Sequence, residues 1–209
     1  IKKFLYSEQE IFLRELVSNA VDATTKVKAL SRKGEIEGEL GDLTVRVKVD
    51  KDAKTITVSD RGIGMTAEEV DKYINQIAFS SAGDFLEKYK DSIDAIIGHF
   101  GLGFYSVFMV SDKVEIETLS SEGEAEPVHW VSEDGMGFEI SEGSRKTHGT
   151  DIILHVSEEE KEFLDTWKVR EVLNRYCGYM AYPVMLEDAN AKPVEKDAPV
   201  GEGKNEGGK

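Results

Sequence analysis

Two segments in which apolar and polar residues strictly alternate, 43–49 and 55–59, stand on either side of a short polar link at 50–54. Alternation with a period of two predicts β-strands that bury one face, and so short a link predicts antiparallel neighbours joined by a hairpin turn. Further candidate strands follow, and we predict that they belong to one sheet: 114–119, 128–131, 150–156 and 184–186.

Three helices are predicted from periodicity and end signals. Apolar residues recur at spacings of three and four over 7–30, which is typical of an amphipathic helix. A capping box, Thr66 followed three positions later by Glu69, predicts a helix that runs to about residue 78. The last helix is predicted at about 168–179, before Pro183.

Composition divides the chain into a domain at 1–187 and a tail at 188–209. The tail is charged and rich in glycine, so it cannot bury enough apolar surface to offset the entropy of ordering, and we expect a flexible linker. Within the domain, 80–94 begins with small and charged residues and ends before a glycine cluster, which predicts a mobile loop.

Charge and cysteine content argue against several classes of function. The net charge is −15, from 26 Lys and Arg against 41 Asp and Glu, and a field of this sign repels the phosphate backbone of nucleic acids. The single cysteine, Cys177, can form no intramolecular disulfide, and the histidines show no metal-ligand or catalytic-triad spacing. No apolar run is long enough to span a membrane. We therefore expect a cytoplasmic protein that binds neither nucleic acid nor membrane.

Three polar residues of the first predicted helix are candidates for a site. Glu15, Asn19 and Asp22 lie at i, i+4 and i+7, so they share one narrow sector of the helix at the border of its apolar face. A solvated helix edge would show the same pattern, and the spacing alone does not decide between the two.

Two glycine-rich turns are further candidates. Asp60 ends a predicted strand and is followed by the turn 61–65, whose glycines would allow a ligand to approach the backbone closely. The glycines of 98–103 precede an apolar run and could present backbone N–H groups to phosphate. An ordinary tight turn and a glycine hinge are the respective alternatives. The chain has no GxxxxGK[ST] sequence, which excludes a Walker-type P-loop.

Four stretches taken together resemble the motifs of the Bergerat-fold ATPases: ELVSNAVDA at 15–23, DRGIGM at 60–65, GHFGLGFYS at 98–106 and Gly149-Thr150. IFLRELVSNA at 11–20 and GLGFYS at 101–106 match the branch formed by the ninety-kilodalton heat-shock chaperones, and the resemblance runs from residue 1 to about residue 186. It implies an α+β fold, a two-layer sandwich in which helices cover one face of a mixed, mostly antiparallel sheet.

The resemblance also implies a function and a set of roles. The chain would be the ATP-binding domain of a stress-response chaperone that couples ATP hydrolysis and closure of a lid at about 80–97 to the folding of client proteins. Glu15 would be the catalytic residue that orients and deprotonates water, Asn19 would bind Mg²⁺, and Asp60 with Thr150 would bind adenine. The residues implied to bind ATP or ADP are Asn19, Asp22, Ala23, Asp60, Gly64, Met65, Ile74, Ser80, Ser81, Gly98, Gly101, Leu102, Gly103, Phe104 and Thr150.

This sequence departs from the family pattern at two positions and at its start. Phe79 stands where a lysine is common and Tyr73 where an asparagine is usual, which bears on phosphate affinity and lid contacts. The family's leading strand, which is exchanged in its closed homodimer, precedes the first residue, so we expect this chain to be monomeric. Two other functions remain open: a nucleotide-responsive binding module with negligible turnover, and a sensor-kinase or gyrase-like relative.

Overall fold

The computed structural model describes residues 9–75, 103–133, 135, 137–180 and 182–191. In this part of the chain, no helix is both long enough and apolar enough to cross a membrane. The described helices and strands build two layers, one of helices and one of β-sheet.

The described strands are β1 Val45–Asp50, β2 Thr55–Asp60, β3 Ser111–Leu119, β4 Val128–Ser132, β5 Glu139–Glu142, β6 Gly149–Val156 and β7 Val184–Asp188. These seven strands form one sheet in the order β5-β4-β3-β6-β2-β1-β7. The β1–β7 pair is parallel and the other five pairs are antiparallel, so the predicted mixed, mostly antiparallel sheet is confirmed.

Three α-helices and three tighter or wider helical segments are described. The α-helices are α1 Ile11–Arg32, α2 Ala67–Val70 and α3 Thr166–Cys177. A π-helical turn, Asp71–Asn75, continues α2, and 3₁₀ helices span Gly103–Met109 and Glu158–Leu164. The predicted capping box is confirmed, because Glu69 N–H donates to Thr66 Oγ1 while the Glu69 carboxylate accepts from Thr66 N–H.

The core lies between the sheet and the helices. Alternate residues of the central strands are buried, as the two-residue period predicts, and so is the apolar stripe of α1. Phe12 of α1 is fully buried and meets Phe163 edge to face, with ring centroids 5.2 Å apart. Glu10, just before α1, is also buried and pairs with Lys168 Nζ at 2.7 Å and Arg175 Nη1 at 2.6 Å. These contacts fix α1 against α3 and the second 3₁₀ helix.

The structure differs from the sequence predictions at β5 and at the end of the last strand. Strand β5 was not predicted, because its four residues are all exposed and only Ile140 is apolar. The apolar run after Gly103, where a helix could begin, forms a 3₁₀ helix. The last strand continues to Asp188, and Asn190 Oδ1 accepts from Lys51 N–H at 2.7 Å, so the first residues of the predicted tail pack against the sheet edge. Residues 192–209 lie outside the described residues, and the tail assignment stays a prediction for them.

Candidate functional site

A cavity of about 400 Å³ opens between α1, the glycine turn after β2, and the inner face of the sheet. This volume lies within the range of small-molecule sites in proteins. Leu16, Val58, Ile116 and Ile152 give the cavity apolar walls. Its polar lining residues include Asp60 at the end of β2 and Asn19 and Asp22 on one edge of α1, two of the places where the sequence predicted a site.

Asp60 lines the cavity and is 7% exposed. Its Oδ1 accepts a hydrogen bond from Gly62 N–H at 2.8 Å, an arrangement set by the turn that follows β2. Burial raises the pKa of the Asp60 carboxyl from 3.8 to about 7, although the Gly62 N–H, the Arg145 charge and the Thr150 N–H oppose this rise. An almost buried carboxylate in the wall of an apolar cavity is a strong, directional hydrogen-bond acceptor.

The glycine turn is held tightly between α1 and β3. Ile63 N–H donates to Ala23 O at 3.1 Å, and Ile63 O accepts from Ser121 N–H at 2.8 Å. Gly64 has a φ of +64°, and a Cβ at this position would overlap the carbonyl oxygen of Leu119. The position therefore requires glycine on two grounds, backbone conformation and space.

A buried threonine joins three elements around the cavity. The Thr118 hydroxyl accepts from Met65 N–H at 3.0 Å and donates to Gly149 O at 3.1 Å. It also lies 2.9 Å from Thr150 Oγ1, which must be the donor in that contact because the single hydroxyl hydrogen of Thr118 goes to Gly149. Thr118 thus fixes Met65, the last residue of the glycine turn, and Thr150 relative to each other.

The polar edge of α1 lies at the opposite side of the cavity. Asn19 and Asp22 are exposed at its rim, and Ala23 lies between them and the glycine turn. Glu15 does not line this cavity: it lies one turn earlier, where its carboxylate is so close to Gly103 that a Cβ there would overlap Oε2. Glu15 Oε1 also accepts from Arg14 Nη2 at 3.1 Å. The face of α1 that Glu15, Asn19 and Asp22 share therefore extends from Gly103 to the cavity.

The remaining wall comes from the segments on either side of residues 76–102. Ile74 of the π-helical turn and Phe104 of the first 3₁₀ helix are buried against the cavity, and Tyr105 Oη donates to Ile74 O. Tyr73, one of the two departures from the family pattern, also lines the cavity and is half exposed. A mostly apolar cavity with a buried carboxyl in its wall suits a planar heterocycle with an amino group on its edge.

Nine predicted binding residues therefore border one cavity, namely Asn19, Asp22, Ala23, Asp60, Gly64, Met65, Ile74, Phe104 and Thr150. Gly103 lies beside them against Glu15. The other predicted residues, Ser80, Ser81, Gly98, Gly101 and Leu102, lie outside the described residues, as does Phe79. The roles of all these residues toward a ligand stay predictions.

Three residues that contact the site were not predicted from the sequence: Thr118, Arg145 and His148. Thr118 is a polar residue at an inward position of β3, opposite Thr150 in the register, and that pattern could have revealed it. Arg145 and His148 lie in the loop before β6 and contact the turn after β2 from behind: Arg145 Nη2 donates to Asp60 O at 3.0 Å, and His148 Nδ1 donates to Gly62 O at 2.8 Å. Nothing in their local sequence indicates these contacts.

No group of three or more His, Cys, Asp or Glu side chains among the described residues could hold a metal ion. Asn19 is exposed at the rim, with Asp22 one turn further along α1. A metal ion here would need most of its ligands from a bound molecule and from water.

Residues 8–160 match the family described as histidine kinase-, DNA gyrase B- and HSP90-like ATPase. The chain is 59% identical over 184 residues to the chaperone protein HtpG of Bacteroides thetaiotaomicron and 57% identical over 186 residues to that of Porphyromonas gingivalis, covering 88% and 89% of this chain. The chain is also 45% identical over 190 residues to the chaperone protein HtpG of Actinobacillus pleuropneumoniae, and this match covers 88% of the chain. The chain spans 27%, 27% and 30% of the lengths of these relatives.

Proposed function

Because this chain belongs to the family of histidine kinase-, DNA gyrase B- and HSP90-like ATPases, we propose that it is the ATP-binding domain of a molecular chaperone and that the cavity beside Asp60 holds the adenine base. The observation that carries this proposal is the buried Asp60 carboxyl in the wall of an apolar cavity of about 400 Å³. Residues 1–187 would form the domain and 188–209 its linker.

Adenine recognition would follow from the geometry around Asp60. The exocyclic amino group of adenine is a hydrogen-bond donor, and a buried carboxylate is its natural acceptor. Guanine presents a carbonyl oxygen at the corresponding position, and two acceptors facing each other in a buried site repel. Thr150, fixed by Thr118, would supply a second polar contact, while Met65 and Ile74 would pack on the faces of the base. The site would therefore select ATP and ADP against GTP and GDP.

The phosphates would extend from the base toward Gly103, where Glu15 lies. The backbone N–H groups of residues 101–104 would bind phosphate oxygens, together with Ser80, Ser81 and Gly98. The Glu15 carboxylate would hold the attacking water by a hydrogen bond and accept its proton as the oxygen–phosphorus bond forms and the bond to the leaving ADP breaks. Glu15 must release Arg14 or share its carboxylate for this role, because the two side chains are paired at 3.1 Å.

Mg²⁺ fits the rim of the site. Asn19 Oδ1 would be its protein ligand, and phosphate oxygens and water would complete the octahedral shell that this ion prefers. The ion would neutralise phosphate charge beside the carboxylates of Asp22 and Glu15.

The relatives named as chaperones are about three to four times longer than this chain, so the activity of the whole protein goes beyond this domain. We propose that nucleotide binding here closes a lid at about 80–97 and is coupled to the handling of client proteins by a cytoplasmic homodimer. Phosphoryl transfer needs positive charge at the transition state, and much of the longer protein that would supply it lies outside this chain. A second candidate is therefore a domain that binds nucleotide but hydrolyses it slowly on its own.

Calorimetric titration with ADP and with GDP, each in the presence of Mg²⁺, tests the proposal. We expect ADP binding that is at least about 100-fold tighter than GDP binding, since the wrong base leaves a buried acceptor unpaired. Asp60→Asn should abolish the preference, and Asp112→Asn, on an exposed residue of β3, should leave it unchanged. Equal affinity for the two nucleotides, or an unaffected Asp60→Asn variant, would remove the adenine assignment.

Turnover separates the two candidates. Glu15→Ala should retain ADP binding and lose ATP hydrolysis in a chain extended to the length of the relatives. If this chain alone hydrolyses ATP as fast as the extended one, the slow-turnover candidate is wrong.

A further inference from the structure

We propose that Arg145 is a positioning residue for adenine recognition, which clamps the end of β2 to the start of β6 and keeps the Asp60 carboxyl in its charged, hydrogen-bond-accepting form. This inference rests on the proposed function, since it concerns how Asp60 is presented to a base. Arg145 lines no part of the cavity and acts only through Asp60.

The guanidinium of Arg145 uses all three of its nitrogens. Nη2 donates to the backbone oxygens of Asp60 at 3.0 Å and His148 at 3.1 Å, and Nε donates to Thr147 O at 3.1 Å. Nη1 pairs with Asp151 Oδ1 at 2.7 Å, and the Arg145 side chain is only 10% exposed. One rigid, planar group thus joins the last residue of β2 to the loop that leads into β6, a task that a single ammonium group cannot perform.

The end of β2 and the start of β6 lie so close together that position 149 has no room for a side chain. Gly149, the first residue of β6, has a φ of +123°, and a Cβ there would overlap Asp60 O and contact Arg145 Nη2. The register pairs Asp60 with Thr150 directly beyond. Arg145 therefore holds the backbone from which both proposed adenine contacts project.

The charge of Arg145 also acts on the Asp60 carboxyl. Burial raises the pKa of Asp60, nearby Asp151 raises it further, and the Arg145 guanidinium lowers it. Because Arg145 forms an ion pair with Asp151, it counteracts a neighbouring carboxylate that opposes ionisation of Asp60. The charged groups that line the cavity besides Asp60 are Asp22 and Lys26 of α1 and Glu69 of α2, and His148 contacts Gly62 O in the turn after β2.

These contacts predict a specific dependence of nucleotide affinity on pH. Because the charged carboxylate is the stronger acceptor for an amino group, affinity for ADP should fall as Asp60 takes up a proton, with a midpoint near its pKa of about 7. Removing the Arg145 charge should raise that midpoint, since an opposite charge nearby lowers a carboxyl pKa by about one unit or more.

The test is ADP affinity between about pH 6 and pH 9 for wild type, Arg145→Gln and Arg145→Lys. The terminal phosphate of ADP titrates in the same range, but it does so equally for every variant, so ratios of affinity to wild type are compared. For Arg145→Gln we expect the loss caused by the missing fork at every pH and, in addition, a loss of about ninefold at pH 6 and about fivefold at pH 7 that disappears by about pH 9, as a midpoint shift of one pH unit requires. Arg145→Lys keeps the positive charge but loses the planar fork of N–H donors, so we expect its ADP affinity to be reduced by a similar factor at every pH.

A residue that only stabilises the fold would reduce affinity by the same factor across the pH range. A constant ratio for Arg145→Gln, or no loss at all, therefore overturns the inference. Arg175→Gln is the matched control, because Arg175 also joins separate segments by pairing with Glu10 and Glu171, but it lies in α3 and neither it nor these partners line the cavity. Its pH profile should match wild type.

If Arg145→Gln does not fold, Asp151→Asn provides an independent test with the opposite sign. Removing the Asp151 carboxylate should lower the midpoint for ADP binding, and an unchanged or raised midpoint overturns the inference. Failure of the proposed function is a separate outcome, in which the wild-type chain itself shows no preference for ADP over GDP at any pH.

Discussion

Replacing Asp60 by asparagine should make the protein more stable while it removes adenine binding. Burial raises the pKa of this carboxyl from 3.8 to about 7, which means that keeping it charged in the folded protein is unfavourable. A difference of about three pH units corresponds to about 4 kcal/mol at 1.36 kcal/mol per unit. Asparagine has nearly the same shape, no charge, and an oxygen that can still accept from Gly62 N–H.

The sign of the effect follows from the direction of the pKa change. Below about pH 4 the carboxyl is protonated in both the folded and the unfolded protein, so ionisation contributes nothing to the difference in stability. As the pH rises toward 7, the unfolded chain loses its proton first, and wild type loses stability until the folded form ionises as well. The advantage of Asp60→Asn should therefore grow from about pH 4 to about pH 7 and then stay constant.

Urea denaturation followed by circular dichroism measures this directly. At pH 8 we expect a free energy of unfolding up to about 4 kcal/mol above wild type, and at pH 5 an increase of less than about 2 kcal/mol. The figure at pH 8 is an upper bound, since the amide brings two N–H donors that also need partners. Asp112→Asn, on an exposed residue, should show no such trend. An Asp60→Asn variant that is no more stable than wild type at pH 8, or whose gain is the same at pH 5, would refute the reasoning.

Three further substitutions test the contacts around the site and the core. Thr118→Val removes the acceptor of the buried Met65 N–H and should lower the free energy of unfolding by about 1–3 kcal/mol, whereas Thr118→Ser should retain most of it in the same urea assay. Phe12→Ala should cost about 3–5 kcal/mol because Phe12 is fully buried against Phe163, and a loss under 1 kcal/mol would contradict the packing described. Glu10→Gln leaves two cations of α3 without their buried partner and should lower the stability by about 1–3 kcal/mol, an effect that thermal unfolding in high salt should not abolish.

Strands that bury every second side chain could be predicted from the sequence. β1 and β2 alternate strictly and bury every second residue, so burial and sequence pattern agree. β5 has no such pattern, since all four of its residues are exposed and it is held by its backbone pairing with β4. A strand of that kind leaves no hydrophobic period to detect.

The candidate site was predictable from motifs and only partly from physical pattern. Asp60 and Gly64 stand out in the sequence because a carboxylate and glycines follow a strand, and both border the cavity. Arg145 could not be predicted, because its contact with Asp60 joins residues 85 positions apart through a loop without periodicity. Glu10 is a similar case, since its buried position depends on cations more than 150 residues away.

The parallel pairing of β7 with β1 gives the domain a defined mechanical connection. The two strands are in register over five positions, and backbone hydrogen bonds from Val45 to Pro183 and from Ala189 to Val49 extend the contact at both ends. Tension between the start of β1 and the chain that leaves β7 pulls the two strands past each other lengthwise, so all of these bonds carry the load at once instead of opening one by one. Beside β1 lies β2, which ends at Asp60. A displacement of the chain after β7 is therefore transmitted through the β7–β1 pair to β2, the strand that ends at Asp60.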